Sequence, residues 1–146
     1  MWVVWTLSQE MMGAPTFTRE GMHGQRGDAF ETEVDRATHK AIKKIHADLG
    51  SMRFNTAVSA LMEYVNFLSG AKTKARLLEP ASAALAWRAL NTLVQLLAPM
   101  TPHLSEQLWP GLGYPGTDHV SCWPEFRPAP PNRDHAHALG PGTGRR

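Results

Sequence analysis

Residues 81–109 read ASAALAWRALNTLVQLLAPMTPHLSEQLW. From Ala83 to Leu97 only Arg88, Asn91, Thr92 and Gln95 interrupt a run of alanine, leucine, valine and tryptophan. Those four fall three or four apart, so at 3.6 residues per turn they make one narrow polar stripe on a helix that is otherwise apolar. Such a helix needs neighbours around most of its circumference, which predicts the central member of a bundle. It is too polar, and too closely followed by Pro99, to read as a membrane span. Pro99 ends it, because proline lacks an N–H and biases the preceding residue away from the α region. Thr101-Pro102 restarts the chain as a helix, with threonine at the N-cap and proline at the first helical position. Trp109-Pro110 closes it. The stretch therefore predicts a central helix over 81–98, a sharp break, and a short helix over 102–109.

The remaining sequence is consistent with one domain built on that helix. A chain of 146 residues with 42 % hydrophobic and 19 % charged residues falls in the range of a globular protein with a modest core. The apolar opening MWVVW has no basic region before it and no small-residue cleavage site after it, so it does not read as a signal peptide. Cys122 is the only cysteine, which excludes an intrachain disulfide and a cysteine metal cluster and fits a reducing, cytoplasmic setting. The formal charge of +2 is too small to argue for nucleic acid, but its distribution is uneven. Asp28, Glu31, Glu33 and Asp35 are followed by Arg36, Lys40, Lys43, Lys44 and Arg53 against Asp48 alone, and then by Lys72, Lys74 and Arg76.

Taken in order, residues 1–12 predict a helix with Trp2, Val3 and Trp5 on its apolar face. It has no cap before it, so its natural beginning is expected to lie upstream. Residues 13–27 read as a glycine-rich loop, and Asp28 with Glu31 resembles a capping box. A helix over 29–49 follows, with Val34, Thr38, Ala41, Ile45 and Leu49 on one side and the basic residues opposite; Gly50 is the expected C′ residue. The helix over 53–69 is expected to bury Phe54, Val58, Leu61, Val65 and Leu68, with Ala57, Ala60 and Tyr64 as a second stripe. Residues 71–80 read as a connecting loop. Beyond the turn-rich residues 110–119, a short extended segment near 119–124 is expected to lie against the bundle. From Arg127 onward proline and glycine replace large apolar residues. Such a segment cannot offset an ordering cost of about 1–2 kcal/mol per backbone residue, and disorder is expected. The prediction is an all-α helical bundle over 1–126 and a tail over 127–146.

Three blocks carry a family resemblance. They are Thr38-His39-Lys40-Ala41-Ile42-Lys43-Lys44-Ile45 with Arg53-Phe54-Asn55-Thr56-Ala57 and Ala60-Leu61-Met62-Glu63; Leu96-Leu97-Ala98-Pro99-Met100-Thr101-Pro102-His103-Leu104-Ser105-Glu106-Gln107-Leu108-Trp109; and Trp123-Pro124-Glu125. Together they resemble the helical anticodon-binding domain of class I leucyl-tRNA synthetases of the bacterial type. The second block is similar to valyl, isoleucyl and methionyl relatives as well, whereas the first points to the leucyl branch. The resemblance covers roughly residues 30–126, and Trp2 to Glu10 is similar to the family's preceding helix. It implies a class Ia anticodon-binding fold and a tRNA partner, leucine tRNA in particular, held by shape and phosphate contacts more than by reading anticodon bases. The family's His-Ile-Gly-His and Lys-Met-Ser-Lys-Ser motifs and its editing domain do not occur in this sequence. The chain is therefore expected to be a piece of a synthetase that does not activate leucine alone. ATP and magnesium are implied only for the missing catalytic domain, and no cofactor is expected here.

Arg36, Lys40, Lys43 and Lys44 are the leading candidates for phosphate contact, because lysines along one helix face can track an RNA backbone without reading bases. The plainer alternative is a solvated face of an amphipathic helix. Arg53, Lys72 and Lys74 are secondary candidates for tRNA contact. Asn55 is expected to cap or hydrogen-bond within the bundle. Trp109 and Trp123 either stack on bases or pack the core; their place beside prolines at helix ends favours packing, and Trp87 belongs to the core. The histidines, His39, His46, His103, His135 and His137 among them, match no zinc spacing. Glu63 and Glu106 have no partner in sequence, and no nucleophile–base pair suggests catalysis. A protein-interaction module, with Trp2, Val3 and Trp5 as its apolar patch, and a truncated fragment without function are the competing readings.

Overall fold

The structure, a computed structural model, describes residues 2–14, 29–118 and 121–127. Among the described residues there are six α-helices and no strand: α1 (Trp2–Met12), α2 (Ala29–Gly50), α3 (Phe54–Ser69), α4 (Ala71–Leu77), α5 (Ala83–Leu97) and α6 (Pro102–Leu108). Short 3₁₀ turns at Pro80–Ser82 and Trp109–Leu112 flank the last two. Asp28 of the expected capping pair, the loop beyond Ala14, His119 and Val120, and the tail beyond Arg127 lie outside the described residues.

The central-helix reading holds. Helix α5 touches every other element, and Leu90, Leu93, Val94, Leu96 and Leu97 have no exposed surface. Trp87 is buried as well, and its indole N–H donates to the Leu112 carbonyl at 3.2 Å, fastening the turn after α6 to the spine. The helix ends at Leu97, two residues before Pro99, and α6 begins at Pro102. Thr101 occupies the N-cap position, but its hydroxyl reaches back to the Leu97 carbonyl at 3.4 Å and caps nothing. Beyond α6, Trp109 stacks on Tyr114 with ring centroids 4.3 Å apart, and Gly113 supplies the left-handed turn (φ 83°) between them.

Helices α2 and α3 form an antiparallel pair with the most extensive contact in the bundle. Ala41, Ala57 and Ala60 are buried between helices, and side chains this small let two backbones approach closely. At the centre, the Thr38 and Tyr64 hydroxyls lie 2.8 Å apart, Thr38 donates to the Val34 carbonyl at 2.8 Å, and Tyr64 reaches the Ala89 carbonyl at 3.3 Å. One buried polar cluster thus joins α2, α3 and α5. Burial drives the Tyr64 phenol well above its ordinary value, so it stays protonated and able to donate.

Five local expectations are corrected. First, α1 buries Val4, Leu7 and Met11, while Trp2 and Val3 face outward. Second, α3 is rotated from the predicted stripe: Ala57, Ala60, Leu61, Tyr64, Val65 and Leu68 are buried, whereas Phe54 is 48 % and Val58 41 % exposed. The helix has neighbours on the alanine side, which turns the first two apolar positions outward. Third, residues 71–77 are helical and not a loop. Ala, Lys, Arg and Leu are strong helix formers, Leu77 is buried, and Lys74 is tied to Glu10 of α1 at 2.9 Å. Fourth, Gly50 is the last residue of α2, and the left-handed residue of the reversal is Met52 (φ 57°). Fifth, Asn55 is exposed inside the first turn of α3, whose N-cap residue is Arg53 and carries no side-chain cap.

Replacing Leu93 with alanine should destabilise the fold by about 2–5 kcal/mol through lost transfer energy and a residual cavity. Against a total near 5–15 kcal/mol for a domain this size, that is a large loss. Ser82→Ala, at a half-buried position that caps nothing through its side chain, should leave the melting temperature nearly unchanged. Equal melting curves for the two variants would show that the spine is not enclosed.

Candidate nucleic-acid interface

Helix α2 buries Val34, Thr38, Ala41 and Ile45 and turns Arg36, Lys40, Lys43 and Lys44 to the opposite, exposed side. Arg36 and Lys40 have no ion-pair partner among the described residues. Lys40 and Lys44 also border a shallow groove of about 200 Å³ between α2 and α3, with Glu63 on its far wall. Lysines along one exposed edge, with a furrow beside them, suit a polyanion lying across the helix.

Lys44 and Arg53 are engaged elsewhere. The Asp48 carboxylate has no exposed surface and receives Lys44 Nζ at 2.8 Å and Arg53 Nη2 at 3.1 Å. The Lys44 ammonium on the carboxylate is the main reason its pKa lies below the ordinary carboxylate value, with the nearby Thr56 hydroxyl and the Lys44 and Arg53 charges adding to it and burial opposing. The Arg53 N–H also donates to the Asp48 carbonyl at 2.7 Å. These two cations clamp the α2–α3 reversal.

The remaining candidates sit apart. Lys72 is exposed, and Lys74 holds Glu10. Both follow the C-terminal end of α3, whereas Arg53 precedes its first turn, so at 1.5 Å per residue the 16-residue helix puts about 24 Å between them. The seven sequence-predicted residues therefore divide into an α2 row, a clamp at one end of the hairpin and a pair at the other.

The structure adds a neighbour to the α2 row that spacing along the chain does not reveal. Residues 121–127 cross the open cleft between α2 and α5, a space of about 680 Å³ bordered by Asp35, His39, Arg88, Asn91, Gln95 and Trp123. Gln95 Nε2 donates to the Cys122 carbonyl at 3.0 Å, and the Arg127 N–H donates to His39 Nδ1 at 3.2 Å. Trp123 packs against the core, its ring 6.5 Å from that of His46. With Trp109 also buried, the packing reading is supported for both tryptophans. Phe126 stands edge to face with His39 at 6.0 Å, and Lys43 Nζ lies 5.5 Å from its ring centre. On the cleft's inner side, Arg88 Nη2 reaches Glu31 at 2.8 Å and Asp35 at 3.4 Å. Burial raises the Asp35 pKa, with Arg88 opposing. Burial lowers that of His39, with Asp35 opposing and the Arg127 and Arg88 charges reinforcing the shift.

Among the described residues no cluster of three or more His, Cys, Asp or Glu side chains is arranged to hold a metal ion, and no helix is long and apolar enough to cross a membrane.

Comparison with known proteins gives a consistent answer. The sequence model of the family described as "Anticodon-binding domain of tRNA ligase" matches residues 31–139. The chain is 41 % identical over 109 residues to the leucine–tRNA ligase of a Cyanothece species, an alignment covering 72 % of this chain and 12 % of that protein. It is 44 % identical over 105 residues to the Synechococcus enzyme of the same name, covering 71 % of this chain and 11 % of that protein. The chain thus spans about an eighth or less of the length of these curated relatives. Among solved structures it is similar in fold to the LeuRS of Agrobacterium radiobacter, determined as a ternary complex with tRNA and LeuAMS. That match has a TM-score of 0.62 and 24 % identity, and covers 86 % of this chain and 15 % of the other.

The His39 contact makes the 121–127 segment sensitive to acid. Its pKa in the folded chain lies below the ordinary 6.5, so the neutral ring contributes stability above that pH, and the contribution is lost as pH falls through the folded value. A protonated Nδ1 can no longer accept the Arg127 N–H. The Arg127 amide resonance should therefore move on acidification with a midpoint below 6.5, and should stay in place across that range in His39→Gln. A midpoint at or above 6.5 would contradict this assignment.

Proposed function

The chain belongs to the anticodon-binding domain family of tRNA ligases, with leucine–tRNA ligases as its relatives, and from that premise we propose that it positions leucine tRNA through shape and phosphate contacts. The observation that carries the proposal is the exposed row of Arg36, Lys40 and Lys43 on α2, directed away from the core by the same periodicity that buries Val34, Ala41 and Ile45. Positive charge on a rigid helix releases counterions from a phosphate backbone on contact, and such contacts fix orientation without reading sequence. The tRNA bound by the Agrobacterium enzyme of similar fold supports the choice of ligand. Leucine attachment, with its ATP and magnesium, belongs on this reading to a catalytic domain elsewhere in a ligase, and a cytoplasmic setting is part of the same reading. Lys72 and Lys74 offer a second, weaker contact beyond the far end of α3. Lys44 and Arg53 contribute field more than direct contact, because Asp48 holds them.

A second reading has its own observation. Phe54, Val58 and Met62 are exposed at intervals of four residues on α3, beside an exposed Met52. An apolar stripe of this kind suits docking against protein, and the remaining domains of a ligase are the natural occupant for a chain that spans so little of its relatives' length. The two readings use different faces and are compatible.

Lys40→Ala combined with Lys43→Ala should weaken binding to leucine tRNA and to an unrelated tRNA by similar factors. Each lost phosphate contact should lower the magnitude of the log–log salt slope by roughly 0.7–0.9. The melting temperature should hardly move, since exposed charges contribute little to folding. Unchanged affinity and slope in a salt titration would remove this face from tRNA binding. The isolated 146 residues should also give no leucine-dependent pyrophosphate exchange; turnover by clean protein would overturn the division of labour proposed here.

A further inference from the structure

Phe126 is 44 % exposed although both sides of its segment are anchored, by Gln95 on the Cys122 carbonyl and by His39 on the Arg127 N–H. A single exposed phenylalanine is ordinary; its surroundings are what distinguish it. Lys43 Nζ lies 5.5 Å from the ring centre, inside the range of a cation–π contact, and Lys43 is also the last unclamped member of the α2 row. His39 meets the ring edge to face, and the exposed Arg127 guanidinium belongs to the next residue. The ring thus lies beside the line of cations begun by Arg36 and Lys40, with the Lys43 ammonium over it, almost half of the residue still exposed, and Arg127 as a further cation next in the chain.

We propose that Phe126 is a stacking platform for one unpaired RNA base, with Lys43 and Arg127 holding the phosphates on either side of that nucleotide. The proposal rests on the tRNA-binding reading and makes it more specific: the surface takes a single-stranded element of the RNA, not only a helical stem. Base faces in an A-form duplex are covered by their neighbours, so a side-chain ring can stack only on a base already splayed out of the helix. Every base has a π-face, so the platform recognises strandedness and not sequence. Anchoring at His39 and Gln95 means the ring is ordered before RNA arrives, which reduces the ordering cost of binding. Of the nearby carboxylates among the described residues, Asp35 is 44 % exposed and drawn toward Arg88 at 3.4 Å, and Glu125 is exposed beside the platform. The four cations of the line, Arg36, Lys40, Lys43 and Arg127, outnumber these two carboxylates.

The test compares the full chain with Phe126→Leu and Phe126→Trp, using total tRNA, a short single-stranded RNA and a blunt RNA duplex of equal length as probes. Leucine keeps the apolar bulk that packs the segment; tryptophan keeps the stacking face. Phe126→Leu should weaken single-strand and tRNA binding by about 5- to 150-fold, the usual worth of one base–aromatic stack. The salt slope and the duplex affinity should stay unchanged, and Phe126→Trp should restore wild-type binding. Wild-type affinity of Phe126→Leu for the single strand would overturn the proposal. An equal loss on single strand and duplex would also overturn it, because the ring would then be holding the segment in place and not stacking. Preferential capture of an acidic peptide over single-stranded RNA would assign the patch to protein and overturn it too. Failure of the wild-type chain to bind any tRNA at low salt is a separate result, and it would remove the tRNA-binding reading on which the proposal stands.

Discussion

Helix α5 has to be covered, and the rest of the bundle follows from how. A fully buried leucine or valine contributes about 1.5–3 kcal/mol relative to leaving it in water. Leu90, Leu93, Val94, Leu96 and Leu97 supply five such side chains within two turns. No single neighbour can enclose a helix apolar on most of its circumference, so contacts to all the other elements are required and are found. Pro99 makes this geometry possible by stopping α5 at Leu97, so that α6 and the turn at Trp109 can return across it and receive the Trp87 N–H on the Leu112 carbonyl. Even the polar stripe is used internally. Arg88 pairs with Glu31 and Asp35 of α2, and Gln95 holds the Cys122 carbonyl.

Hydrophobic burial alone is tolerant of sliding and rotation; polar groups buried within it are not. Thr38 and Tyr64 own two hydroxyl protons between them and make three contacts, so Tyr64 has to share its proton between Thr38 and the more distant Ala89 carbonyl. A shift of α3 by one residue would strand that phenol in the core without a partner, at a cost of about 1–3 kcal/mol. Asp48 fixes the other end of the same hairpin. Its carboxylate is out of solvent and tolerable there because Lys44 and Arg53 reach it from the two sides of the reversal. The rotation of α2 is thereby set at its middle and at its end, and with it the direction in which Arg36, Lys40 and Lys43 project.

What the sequence made legible was whatever repeats over several turns. The apolar circumference of α5, the stripe of α2 and the proline break all have periods or punctuation that a linear reading detects. Helix α4 was invisible to that reading because seven residues are too few to show a period, and its reason for folding is tertiary: Leu77 in the core and Lys74 on Glu10. The rotation of α3 was ambiguous because Phe54, Val58, Ala57 and Ala60 offer two overlapping stripes, and only the neighbours choose between them. For the candidate site, the α2 row could be read from spacing. The Asp48 clamp could not, although Lys44 and Asp48 stand four apart, because a surface i,i+4 pair and a buried one have the same spelling. Phe126 comes next to Lys43, and Arg127 next to His39, across more than eighty positions of chain, and no local signal carries that.

The separation between core and charge on α2 determines what a loss of binding can mean. Among the described residues Arg36, Lys40 and Lys43 have no structural partner but the Phe126 ring, so removing their charge changes the field at the surface and leaves the described contacts of the core in place. Lys44 and Arg53 are different, because each leaves the enclosed Asp48 carboxylate with one cation fewer. A defect produced at either would mix a loosened hairpin with a lost contact, and a loosened hairpin would in turn misdirect the α2 row. Lys74 raises the same ambiguity through Glu10 and α1. On the proposed reading, the residues that would report on RNA without reporting on the fold are thus those the structure leaves least engaged. They lie in one line along α2 beside the segment strapped across it, which makes that line, and not the full set of basic residues, the unit on which the proposed RNA binding is to be tested.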